Sequence, residues 1–258
     1  MRFPKFTAAL AAGVMALGVS AASAQDTLRI GVEGAYPPFS EKTASGELVG
    51  FDIDIANALC AEMNVECTLV EQDWDGIIPA LQAKKYDAII ASMSITPDRQ
   101  KVVDFTNKYY QTPAKFAAEE GVDWADTPEG LAGKTIGVQR GTIHDDYVSA
   151  LYTDSEIKRY ATQDEAYLDL QAGRVDAILA DSIAVSDGFL KTEAGEGYAF
   201  FGGDHTDPQY FGEGAGIAVR KGEDELRQKL NDAIAAIRED GTYKEINDKY
   251  FEFDIYGG

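Results

Sequence analysis

YDAIIASMSITPDRQ, residues 86–100, opens as an apolar strand entering a core and closes on Ser92, Ser94, Thr96, Pro97 and Arg99. A strand that only had to pack would not end this way. A strand whose end faces a small anion would, because ligands of open α/β sheets bind outside the carboxyl ends of the strands. Upstream, TLRIGVEG (27–34) is expected to form a strand with a glycine turn, and CTLVEQ (67–72) another. Between them, Phe51, Ile55, Leu59 and Met63 fall four apart, which predicts one apolar helix face. WDGIIPALQAKK (74–85) reads as a short helix, TPDRQKVV (96–103) as the start of a helical turn, and 103–120 as extended.

The pattern then restarts. Residues 133–152 read as strand, glycine turn and helix, and 157–182 as strand, helix and strand. Val175-Asp176-Ala177-Ile178-Leu179 echoes Tyr86-Asp87-Ala88-Ile89-Ile90. A final strand and two helices follow, with Leu226, Leu230, Ile234 and Ile237 on one face. Alternating strands and helices indicate an α/β chain. The length suits two small domains, and with no linker between halves the chain is expected to cross between them more than once.

The amino end is a leader. MRFPK is basic, an apolar run follows, and Ala22-Ser23-Ala24 fits a small-residue cleavage site, so residues 1–24 are expected to be removed on export. The remainder holds 21 basic against 44 acidic side chains, a formal charge of −23. That argues against nucleic acid or an anionic membrane surface as partner and is compatible with a cationic ligand, although surface solvation explains the same charge. Cys60 and Cys67 are the only cysteines. In an exported protein they favour a disulfide over a metal site, which two cysteines alone cannot complete. No metal or cofactor is expected.

The strand ends carry a consistent chemistry. Arg99 offers a planar fork suited to a carboxylate. Gly141-Thr142, at a helix start, offers backbone N–H groups to the same anion. Ser92, Ser94 and Asp181 offer oxygens to an ammonium. Tyr36 and Trp74 offer flat faces, and Glu33, helped by Asp73 or Asp75, offers negative charge for a cationic side chain. Each residue has a plainer alternative. Arg99 is equally a surface partner for Asp98 or Asp104. Asp181 is a helix cap, Ser92 a small core residue, and Tyr36 and Trp74 rim or core aromatics. His144 reads as a surface or cleft-rim residue.

With these residues in place, the sequence resembles the periplasmic polar-amino-acid-binding proteins of bacterial ABC uptake systems, in particular the lysine/arginine/ornithine and histidine binders. GFDIDIANALCAEM (50–63), YPPF (36–39), WDGIIPAL (74–81), residues 84–100, DGFL (187–190) and the closing stretch 240–257 carry the resemblance. It implies a clamshell of two lobes, 25–112 with 213–258 and 113–212, joined by two crossings. It places the ligand carboxylate on Arg99, Ser94 and the Thr142 backbone, and the ammonium on Asp181, Ser92 and Ser94. Tyr36 and Trp74 then flank the side chain, whose cationic end meets Glu33. Gln139 joins the ligand-binding candidates, although it, Ile143, His144 and Ala91 depart from the residues usual in cationic binders. The resemblance also implies a Cys60–Cys67 disulfide, a monomer, and an inner-membrane permease as partner. Two alternatives stand beside a cationic amino-acid receptor. One is an opine binder, against which Asp181 argues. The other is a prephenate or arogenate dehydratase on the same fold, with Glu33, Asp181 or His144 as general acid.

Overall fold

The computed structural model describes Met1 and residues 26–257, so the leader and its cleavage after Ala24 lie outside the described residues. In chain order the strands are β1 (Thr27–Val32), β2 (Ala35–Tyr36), β3 (Ser40–Lys42), β4 (Leu48–Val49), β5 (Glu66–Glu71), β6 (Ala88–Ile89), β7 (Val103–Tyr110), β8 (Ala114–Glu119), β9 (Thr135–Gln139), β10 (Glu156–Tyr160), β11 (Ala177–Asp181), β12 (Tyr198–His205) and β13 (Ala215–Arg220). The helices are α1 (Phe51–Glu62), α2 (Ile77–Gln82), α3 (Ile143–Leu151), α4 (Gln163–Gln171), α5 (Ser182–Val185), α6 (Pro208–Phe211), α7 (Asp224–Glu239) and α8 (Thr242–Tyr250).

Two five-stranded sheets organise the chain, in the orders β5-β1-β6-β13-β7 and β10-β9-β11-β8-β12. Each has two parallel pairings followed by two antiparallel ones, so only β13 in the first sheet and β8 in the second run against their neighbours. The echo at Asp87 and Asp176 has a physical cause. Asp87 accepts a hydrogen bond from the Arg29 amide at the start of β1, and Asp176 accepts one from the Thr135 amide at the start of β9. In both sheets an aspartate before the third strand pins its parallel neighbour. The chain passes from β7 in the first sheet to β8 in the second, and returns from α6 to β13. A two-lobe α/β architecture results.

Helix α1 begins without a side-chain cap. Its first amides, those of Phe51 and Asp52, donate to the Pro38 and Phe39 carbonyls. Gly50 makes this approach possible: φ is 129°, and a Cβ there would lie 2.3 Å from the Phe39 carbonyl oxygen. The buried face of α1 is Ile55, Leu59 and neighbours, packed against α7 through Leu230, Ile234 and Ile237 in one core cluster. The strand expected over 86–93 pairs regularly only at Ala88–Ile89. Beyond Ile90 the chain leaves the sheet, passes through Ser92 at φ 52°, and rejoins by a single bridge from Ser94 to Ala215.

Cys60 on α1 and Cys67 on β5 form a disulfide. Closing so short a loop removes unfolded-state entropy worth about 2.5 kcal/mol. The Cys60→Ser, Cys67→Ser double variant is therefore expected to melt roughly 5–10 °C lower, a shift readable by calorimetry. Because the bond joins the outer helix to an edge strand, its loss is expected to leave ligand affinity unchanged. A large affinity loss would mean that the bond also positions the cleft.

Candidate functional site

A cavity of about 260 Å³ lies between the sheets. All nine residues singled out as ligand-binding candidates line it, brought together from strand ends on both sides. Glu33 and Tyr36 follow β1, Trp74 follows β5, and Ser92, Ser94 and Arg99 follow β6. Gln139 ends β9, Thr142 follows it as the cap of α3, and Asp181 ends β11.

Arg99 sits on a short 3-10 turn, Arg99–Lys101. Its guanidinium is half-buried and donates to the Ser94 carbonyl at 3.1 Å, with its carbon 5.2 Å from the centre of the Trp74 ring. The surface partners open to it in sequence are taken: Asp98 pairs with Lys101 at 2.5 Å and Asp104 with Lys221 at 2.7 Å. Arg99 makes no ion pair among the described residues. Removal from water pushes its pKa down to about 10, against the weak pull of Asp146. The result is a charged donor fork with spare donors, facing a cavity.

Asp181 is both a cap and a cavity group. One carboxylate oxygen accepts from the Ile183 and Ala184 amides of α5, at 2.8 and 3.3 Å, and the other from the Thr112 hydroxyl on the first crossing. Ile183 and Ala184 pack into the core of the first lobe, so Asp181 is held at the junction of the lobes. Burial nevertheless pushes its pKa up to about 6. Glu33, 7% exposed, is pushed up to about 7 by burial, although Gln139 donates to it from the other lobe. Two buried carboxylates therefore face the cavity, each wanting a cation more than its present donors supply.

Four expectations are corrected by the geometry. The Gly141 amide is not free for an anion: it donates to Asp145 at 3.0 Å, and Asp145 is held in turn by Arg159. The Thr142 amide remains, with no hydrogen-bond partner among the described residues, while the Thr142 side chain caps α3. Asp75 does not assist Glu33, because it is bound by Arg140 across the cleft. The Ser92 hydroxyl is not free for a ligand: it donates to Asp52 at 2.9 Å, leaving the Ser92 carbonyl without a partner among the described residues. His144 is no rim residue. It is buried in the cavity wall, and burial, reinforced by Arg99, pushes it down to about 3, so it is neutral.

The lobes touch. The Trp74 indole N–H donates to the Gly141 carbonyl at 3.1 Å, Arg140 pairs with Asp75, and Gln139 donates to Glu33. On the other flank, Pro37 of the first lobe meets Gly188 of the second, where a Cβ would lie 3.1 Å from the Pro37 carbonyl oxygen. This is a closed clamshell. Sequence reasoning missed the wall formed by Phe211, Asp204 and Thr206. Asp204 lies near the end of β12, where the strand-end rule could have found it.

From residue 28 to 253 the chain matches the bacterial extracellular solute-binding proteins, family 3. It belongs to that family. An L-arginine-binding protein of Pseudomonas aeruginosa is 57% identical over 251 residues, covering 96% of both chains. A lysine/arginine/ornithine-binding periplasmic protein of Escherichia coli is 43% identical over 96% of both. Among solved structures, a Salmonella typhimurium periplasmic binding protein described for high arginine specificity superposes with a TM-score of 0.81 at 35% identity, covering 88% of this chain and 99% of the other. This family member thus shares both the fold and nearly the whole length of amino-acid receptors.

Proposed function

We propose that this protein is the periplasmic receptor of an amino-acid ABC uptake system and that its ligand is a cationic L-amino acid: arginine, lysine, ornithine or histidine. The observation that carries the reading is the pairing of charges in one cavity. Arg99 has spare donors and no acid partner among the described residues, while Asp181 and Glu33 are buried acids with raised pKa values. A zwitterionic head group satisfies the first two, and a cationic side chain satisfies the third.

Arg99, with Ser94 and the Thr142 amide, takes the carboxylate. Asp181, the Ser94 hydroxyl and the Ser92 carbonyl take the ammonium. Tyr36 and Trp74 flank the side chain, and Glu33 with Gln139 meets its charged end. The lobes divide at 112/113 and 212/213, where the chain crosses between sheets, and closure moves them about these two crossings. The site recognises and releases; it transforms nothing. The protein acts as a monomer that reaches its compartment through the 1–24 leader and hands its ligand to an inner-membrane permease. The relatives named as binding proteins, rather than as dehydratases, support this over catalysis.

The test is a thermal-shift screen of ligand-stripped protein against the common amino acids, ornithine, octopine and prephenate. A ligand at a hundred times its Kd stabilises the native state by about 2.7 kcal/mol, an unmistakable rise in Tm. A rise confined to cationic amino acids is expected, with a Kd near micromolar, about −8 kcal/mol. A rise with neutral or acidic amino acids would overturn the role of Glu33, and a rise with octopine or prephenate alone would overturn the head-group assignment.

A further inference from the structure

Behind the cleft floor lies a polar ring that the ligand reading does not use. Asp52, in the first turn of α1, is fully buried. One of its carboxylate oxygens accepts from the Tyr109 hydroxyl at 2.8 Å and the other from the Ser92 hydroxyl at 2.9 Å. The ring closes because the Ser92 amide donates back to the Tyr109 oxygen at 3.0 Å. Three elements meet in it: α1, β7 and the loop after β6.

A buried carboxylate is a costly way to fill a core, and an apolar trio of the same shape would pack as well. What this ring does that an apolar trio could not is hold Ser92. That residue has φ 52°, a backbone conformation that side chains bearing a Cβ rarely adopt. With its hydroxyl and amide both bound in the ring, only its carbonyl is left without a partner among the described residues, and Ser92 lines the cavity. Two residues further on, the Ser94 carbonyl receives the Arg99 guanidinium. We propose, resting on the amino-acid reading above, that Asp52 is a positioning residue: through the Ser92 and Tyr109 hydroxyls it fixes the left-handed turn at Ser92 and so aims that carbonyl at the ligand's α-ammonium.

The chemistry of the ring is specific. Both of its hydroxyls donate to Asp52, so the partner must accept twice. Asparagine offers one acceptor oxygen and a competing donor, and one bond is lost. Glycine at position 92 enters positive φ without the Cβ penalty and has less need of the ring.

The experiment titrates wild type, Asp52→Asn, Tyr109→Phe and the Asp52→Asn, Ser92→Gly double variant calorimetrically with L-arginine. Each is titrated again with δ-guanidinovalerate, which keeps the carboxylate and side chain of arginine but has no amino group. Asp52→Asn is expected to weaken arginine at least about tenfold and to leave δ-guanidinovalerate within about twofold of wild type. Tyr109→Phe, which keeps the aromatic core intact, is expected to show the same selectivity and decides the matter should Asp52→Asn not fold. Adding Ser92→Gly to Asp52→Asn is expected to recover most of the lost arginine affinity. Equal losses for the two ligands, no loss for arginine, or no recovery by glycine would each overturn the positioning role. A wild-type protein that binds no cationic amino acid would instead overturn the ligand reading on which it rests.

Discussion

Arg99→Ala is expected to weaken every L-α-amino acid by about three orders of magnitude, on the order of 4 kcal/mol. The variant leaves a ligand carboxylate in a closed cavity without its counter-charge, and an unpaired buried charge is more costly than a lost contact. Two controls separate this from general damage. Arg99 makes no ion pair among the described residues, and its pKa is lowered by desolvation, so the ligand-free variant is expected to melt no lower than wild type. Agmatine, which is arginine without its carboxylate, is expected to bind both forms alike. Arg99→Lys is expected to restore little, because an ammonium cannot make the two-point contact of a guanidinium. Calorimetric titration reads all of these. An equal loss for agmatine and arginine would show that Arg99 shapes the cleft rather than reading the carboxylate.

The strand-end rule makes most of this site legible in the sequence, because the positions of β1, β5, β6, β9 and β11 follow from short apolar runs bounded by turn residues. Within each sheet those runs are parallel neighbours, which gathers Glu33, Trp74 and Arg99 at the carboxyl ends of one sheet and Thr142 and Asp181 at those of the other, and the cavity between the sheets takes all five. What was not legible is the allocation of donors. Asp145 and a ligand anion both suit the Gly141 amide, and sequence does not say that Asp145 takes it. Asp98, Asp104 and a ligand all suit Arg99, and only the placement of Lys101 and Lys221 removes the first two. The Ser92 hydroxyl turned inward because Asp52, forty residues earlier, lies directly behind it. Such choices are settled by which of several short-range partners the fold brings within about 3 Å, a tertiary fact with no local signature.

The charges in the cleft also fix how closure responds to acid. In the closed form Glu33 titrates at about 7 and Asp181 at about 6, both raised by burial, whereas exposed carboxylates titrate near 4. A group whose closed-form pKa is raised favours closure fully below its open-form value, and that help is lost as pH rises through the closed-form value. Without ligand, the lobes are therefore expected to be held apart above about pH 7 and to draw together between about pH 7 and pH 5, as protons neutralise the two acids. Small-angle scattering should show the radius of gyration falling across that window. A cationic ligand does the protons' work, so with arginine present the protein is expected to be closed throughout. Proton and ligand then compete, and arginine affinity is expected to fall by up to about tenfold per pH unit for each acid below the pKa that acid has in the ligand-free protein, a value between its open-form and closed-form ones. Glu33→Gln isolates the larger share. Its amide cannot take the proton, so the affinity profile between pH 7.5 and 5.5 is expected to flatten, with arginine already weakened at pH 7.5, by roughly a hundredfold. An affinity that is as steep in Glu33→Gln as in wild type would remove Glu33 as the group that reads the ligand's charge. A flat wild-type profile would mean that the acids stay ionised in the closed cleft, held by donors other than the ligand.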